Sequence, residues 1–448
     1  MQTIIDSYMK ETMESHPAIN EIAWLRRLWL LAVFMLLCGF AFFAIPLGGF
    51  NITAGRVVLV IFLYLFALAF FLRLGKMEVK IKVGKYLLFL ALWVLWAVLS
   101  LFWAPPTVNA ARHIEGLIVG TILVALSLLF LSTENGVRDI FHLWVMATIA
   151  FVVIGVWELA TKTHLGEPAP YEMLGIHYPR AVFFHYNVFA VFLSLSLPFL
   201  YIFVGYSKSL FAKVAGLLSI LASLYFIVLS GSRASILGVL ISMFVIFLMT
   251  RWKDKFKFIV VGLVVVGILV VSSQSLSLAN NPTYVELMRS VPEQVTSLLK
   301  DPNATVDRWN LIRCGFEFLE DSHFLGVGAG GFEYYMTKAA PYYTHETINP
   351  HNWWLEVLAN YGMLIFALFL AFFLGLLWNL LLIARRSKSQ LLRLISLATF
   401  ASLVAFSIAN TSASQLMRNY VVWLLFATAL CVMNSHRLEK EKPESWKG

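Results

Sequence analysis

Apolar runs long enough to cross a bilayer recur along this chain, and that property excludes most folds. A spanning helix needs about 20 predominantly apolar residues. Backbone N–H and C=O groups in lipid must be satisfied inside the protein, so spanning segments of this length read as helices. Of the 448 residues, 60% are hydrophobic and 13% charged, against about 25% charged in soluble domains. The expected fold class is an all-α polytopic membrane protein. The net charge of +9 is not a nucleic-acid signal, because most basic residues fall in short loops on one side.

Twelve spans are read, at about 28–47, 57–74, 84–103, 114–131, 140–160, 182–205, 211–229, 233–250, 257–272, 352–383, 390–409 and 416–434. The run 352–383 is long for one crossing and is expected to tilt or to extend beyond the bilayer. With the N-terminus inside, 23 of the 34 Lys and Arg residues fall in inner segments and 11 outside. Segments such as RLGKMEVKIKVGK and RWKDKFK then face the cytoplasm, as the positive-inside rule requires. Both termini are expected to be cytoplasmic. The organisation is helices 1–9 over residues 1–272, a large outer loop with helical segments over 273–351, and helices 10–12 with a tail over 352–448.

In that loop VDRWNLIRCGFEFLED carries Trp309, Ile312, Phe316 and Leu319 at helical spacing. The cluster Tyr334, Tyr335, Tyr342, Tyr343, Trp353 and Trp354 suits an interfacial aromatic belt, and would equally suit stacking on sugars. Cys38, Cys314 and Cys431 show neither metal-ligand nor redox spacing and read as buried small hydrophobes.

Eight of the outer basic residues are arginines: Arg56, Arg112, Arg180, Arg233, Arg289, Arg308, Arg313 and Arg418. Arginine grips planar oxyanions with two prongs and never deprotonates. Arg233 lies in LSGSRASILGV, where Ser230, Gly231 and Ser232 make a tight turn and Ser232 is placed to cap the next helix. A helix N-terminus binds anions, and a charge near membrane depth reads as functional. Arg180 lies in IHYPRAVFFHYN, just before span six. His177 and His185 flank it without metal-site spacing, and Asn187 reads as a partner for a neighbouring helix or loop backbone. Spans six, eight and ten all enter from outside, so their positive dipole ends share one face.

His351, in NPHNWWLEVLANYG, is the candidate base. Fixed positive charge nearby lowers a histidine pKa and keeps it neutral and able to take a proton. Asn352 or Glu356 is placed to orient it, and His345 is the rival. Glu158, near the outer end of span five, would contact an arginine or an acceptor. No Asp/Glu cluster resembles a metal–diphosphate site, so no metal and no cofactor are expected.

These stretches together resemble the O-antigen ligase/polymerase superfamily. The likeness rests on LSGSRASILGV, DRWNLIRCGFEFLEDSHFLGVGAGGFEYY and PHNWWLEVLANYG, and covers mainly residues 175–365. It implies a metal-independent, inverting transferase in the bacterial cytoplasmic membrane with its site on the outer face. The donor it implies is a glycan on undecaprenyl diphosphate, and the acceptor a glycan, lipid or cell-wall hydroxyl. By motif, Arg233 and Arg180 match the diphosphate-binding arginines, His351 the base, and Arg308 a loop residue that contacts substrate. A polymerase of the O-antigen or teichuronic acid type is the alternative within the superfamily. A twelve-helix transporter is the alternative from another class.

Overall fold

The computed structural model describes residues 23–39, 41–47, 50–72, 80–165, 178–250, 302–411 and 416–441. The expected ninth span (257–272), the start of the long loop, Arg289 and His177 lie outside these residues.

Among the described residues eight helices precede residue 251: α1 Ala23–Leu37, α2 Ala54–Leu72, α3 Gly84–Leu99, α4 Val108–Leu131, α5 Glu134–Thr161, α6 Tyr186–Tyr206, α7 Leu210–Leu229 and α8 Arg233–Met249. Five follow: α9 Pro302–Asp321, α10 Gly331–Ala339, α11 Trp353–Arg386, α12 Gln390–Ala409 and α13 Tyr420–Glu441. Among the described residues nine helical segments are long and apolar enough to cross a membrane, and α8 is a shorter apolar helix. The starts are set locally. Thr107, Thr133, Ser209, Ser232 and Ser389 each accept a backbone N–H from the first turn of α4, α5, α7, α8 and α12, as short hydroxyl side chains do at helix N-termini. The cap assigned to Ser232 and the turn at Gly231, with φ +66°, are as the sequence indicates.

The first expected span is corrected. The helix stops at Leu37, and Ala44–Leu47 pairs antiparallel with Phe50–Thr53, Ala44 opposite Thr53. The apolar run continues through this hairpin, but Gly39 takes φ +51° and Pro46 has no N–H to continue a helix. Apolarity alone did not separate the two structures.

The long run at 352–383 is not one continuous helix. Within α11, Gly362 has φ 81° and ψ 178°, so the segment is two helices meeting at a break. The break is filled by the loop that follows α9. Val327 and Gly328 donate to the carbonyls of Ala359 and Asn360 at 2.9 Å each, and Met363 donates to Phe324 at 3.0 Å. A Cβ on Gly362 would lie 2.4 Å from the Leu325 backbone, so glycine is required by contact as well as by conformation. Protein groups thus re-satisfy the backbone that the break frees. Trp96 and Trp103 donate their indole N–H groups to Tyr361 and Gly326 carbonyls at 2.9 Å. Ser100 Oγ and Asn360 Oδ1 accept the N–H groups of Ala329 and Phe332 at 3.0 Å, which seats α10 on the break.

An aromatic core packs α3, α11, α12 and α13 together. Trp353 is fully buried within 6.5 Å, centroid to centroid, of Trp93, Phe369, Phe406, Trp423 and Phe426. Trp353 therefore does not belong to an interfacial belt, whereas Tyr343 is 71% exposed. Small residues let helices approach, as is usual in membranes: Gly120 lies against Trp423, where a Cβ would meet the ring at 2.2 Å. α9 is helical as expected, and of the residues at helical spacing Leu319 is buried and Ile312 packs against the local core. Leu311, Cys314 and Phe318 are covered, while Trp309 and Phe316 are exposed. All three cysteines are buried and unpaired by disulfide.

Candidate active site

α6 packs on α8, and α6, α8 and α11 all pack on α12. Their N-terminal ends carry the candidate residues.

Arg180 sits in the loop before α6, 3% exposed. Its placement is set by Glu158, itself 2% exposed. Glu158 Oε2 accepts the backbone N–H groups of Arg180 (2.9 Å) and Ala181 (2.8 Å), and Oε1 lies 3.0 Å from His164 Nδ1. One carboxylate therefore fixes a turn in which Ala181 has φ +50°. The Arg180 guanidinium donates to the carbonyls of Phe183 (3.0 Å) and Leu165 (3.4 Å). Glu158 organises the arginine's loop, a role the sequence left open.

His185 caps α6 with its own ring: Nδ1 accepts the Asn187 N–H at 3.0 Å. Its pKa is pushed down to about 4 by burial, with the nearby charges of His351 and Arg180 adding to the effect. A neutral ring whose Nδ1 accepts carries its proton on Nε2. Sequence reading placed no function on His185, because histidine is not a common cap and its neighbour His351 lies 166 positions on.

His351 precedes α11 and is held in the left-handed region, φ +46°. Such a conformation costs a non-glycine residue about 1–3 kcal/mol and persists only where its surroundings impose it. Its backbone N–H donates to Asn349 Oδ1 at 3.2 Å. Asn352 caps α11, accepting from Trp354 and Leu355. The His351 pKa lies below the ordinary histidine value, first through burial and then through the charge of Arg308. Arg308, on α9, is in turn lowered by partial loss of solvent and by the charge of Arg233. Arg233 opens α8 with an exposed side chain.

These interactions form a continuous series: Arg180, His185, His351, Arg308, Arg233. The residues picked from three distant stretches are thus electrostatic neighbours. Two supporting candidates have partners of their own. His345 Nδ1 pairs with Asp307 at 2.7 Å with its side chain half exposed. Glu356 is 2% exposed and lies 3.8 Å from His113.

The remaining outer arginines form other groups. Arg313 lies over the Tyr342 ring at 5.4 Å. Arg56 pairs with Glu115 at 2.8 Å, within reach of Arg418 and Arg112. Beside them is a pocket of ≈ 260 Å³, its open mouth included, lined by Asn109, Arg112, His113, Glu333, Met417 and Arg418. Among the described residues no three His, Cys, Asp or Glu side chains are grouped to hold a metal ion.

The fold and this site define a multi-pass helical membrane protein with a cationic, histidine-bearing centre at one end of its bundle. Residues 217–370 match the O-Antigen ligase family model, a stretch that includes Arg233, Arg308, Glu333 and His351. The chain is also 28% identical over 430 residues to the teichuronic acid biosynthesis protein TuaE of Bacillus subtilis (strain 168), covering 93% of this chain and 87% of that one. The resemblance drawn from the motifs is borne out, and it implies a glycosyltransferase-type enzyme of polysaccharide biosynthesis acting on lipid-linked glycans.

Proposed function

We propose that this protein transfers a glycan from undecaprenyl diphosphate to an acceptor hydroxyl at the outer face of the bacterial cytoplasmic membrane. The observation that carries the reading is His351, held left-handed at the start of α11 by Asn349, with its pKa lowered by burial and by the charge of Arg308. Arg233 and Arg308 grip the diphosphate, and Arg180 adds fixed positive charge from the loop before α6. Preorganised charge of this kind stabilises negative charge as it develops on a leaving group. His351 takes the proton of the acceptor hydroxyl. The acceptor oxygen forms its bond to the anomeric carbon as the bond from that carbon to the diphosphate oxygen breaks. The lipid diphosphate leaves with the electron pair, and attack from the opposite side inverts the anomeric centre. The proton then passes from His351 to solvent or to the departing diphosphate.

The lowered pKa of His351 suits this role, because the ring stays unprotonated through neutral pH. The second reading, a polymerase that extends one lipid-linked unit with another, is favoured by the near full-length likeness to a teichuronic acid biosynthesis protein. Purified protein, a synthetic glycan on a lipid diphosphate, and a choice of lipid-linked and free acceptors separate the two. Product masses rising by whole repeats mark a polymerase, and a single joined product marks a ligase. Unmodified donor on the far side of a proteoliposome, with no product, would mean transport and end the enzyme reading.

A further inference from the structure

We propose that Glu333 is a positioning residue for His351, acting through the side chain of Asn349 to hold the base in its strained loop; this rests on the assignment of His351 as the base. Glu333 lies in the first turn of α10. Its Oε1 accepts from Asn349 Nδ2 at 2.8 Å and its Oε2 from Asn109 Nδ2 at 2.8 Å. Asn349 Oδ1 in turn accepts the backbone N–H of His351 at 3.2 Å. The series ties α4 to α10 and α10 to a residue at φ +46°. A left-handed residue needs such restraint from its surroundings, and here the restraint is a carboxylate reached through one amide.

The two partners make the charge state of Glu333 decisive. Both present N–H donors, so an ionised carboxylate, which only accepts, satisfies both. A protonated carboxyl brings its own donor against one of them. Asn349 then answers by turning its amide over, and its oxygen leaves the His351 N–H. Among the described residues, the titratable and charged groups that face Glu333 are Arg112 and His113 from α4 and Arg418 from the turn before α13. Burial raises the Glu333 pKa to about 6, against the opposing pull of Arg112 and Arg418. The base is therefore held above that pH and released below it.

Glu333→Gln tests this, since its amide carries a permanent donor where the protonated acid has one. In the full-length protein reconstituted with lipid-diphosphate donor, kcat should fall roughly 10- to 100-fold, the cost of a small misplacement of a catalytic group. The donor KM should move by less than about 3-fold. The wild-type acid limb should be steep, with Glu333 and His351 both protonating. In Glu333→Gln its slope should drop to that of one proton. Asn349→Ala should cost as much as Glu333→Ala, and the double variant no more than either, because residues in one series are not additive. Losses that multiply, a kcat within about 2-fold of wild type, or an unchanged acid limb in Glu333→Gln would overturn the inference. Glu333→Asp provides a second variant if Glu333→Ala does not fold. His351→Ala separates the two levels: if it transfers normally, the base assignment is what failed. If it is inactive while Glu333→Ala is fully active, this inference alone fails.

Discussion

His351 and Trp353 stand two residues apart at the start of α11 and belong to opposite environments. Trp353 is fully buried among five aromatic rings and sits in the regular helix. His351 is half-buried, left-handed and beside the charge of Arg308. The core is held by shape, the site by charge and hydrogen bonds. A rigid core is what allows a strained site to exist beside it, because the aromatic packing fixes where α11 begins.

The comparison predicts that site variants remove turnover and leave stability, while core variants do the reverse. The largest effect on turnover is expected for His351→Ala, about 10²–10⁴ in kcat, with thermal unfolding unchanged in detergent. A parallel loss of stability would erase the distinction between the two regions. Phe426→Ala, in the ring cluster that includes Trp353 and Trp423, should cost about 3–5 kcal/mol of stability. Activity per folded molecule should persist, as measured by active-site-normalised rates. Arg233→Ala should lower transfer by about 10²–10³ with normal expression, and full transfer by that variant would remove its diphosphate role. The smallest effect is expected for His345→Ala, within about 3-fold, since its half-exposed ring is already tied to the carboxylate of Asp307. A large loss there would make it the base instead.

The sequence disclosed the helices wherever apolar length and a cap agreed, as at Ser232 and α8. It misread the stretch after Leu37, where the apolar run is unbroken but Gly39 and Pro46 turn it into a hairpin. It missed the break at Gly362 because that break is made by distant backbone from Phe324 to Gly328, and nothing local announces it. The candidate site was legible at Arg233 and His351, where polar residues interrupt apolar flanks at helix starts. Glu333 was not legible, because its partner Asn109 lies 224 positions away and a glutamate in a polar loop looks like any solvated charge. His185 was hidden for the same reason: only the fold brings it to His351.

The most direct test of the central claim is equilibrium binding of a lipid-diphosphate glycan to the wild-type protein, Arg233→Ala and His351→Ala, each followed by a transfer assay on the same sample. The account predicts that Arg233→Ala loses donor affinity, and that His351→Ala binds donor as the wild type does but forms no product. Unaltered donor binding by Arg233→Ala together with wild-type transfer by His351→Ala would contradict it.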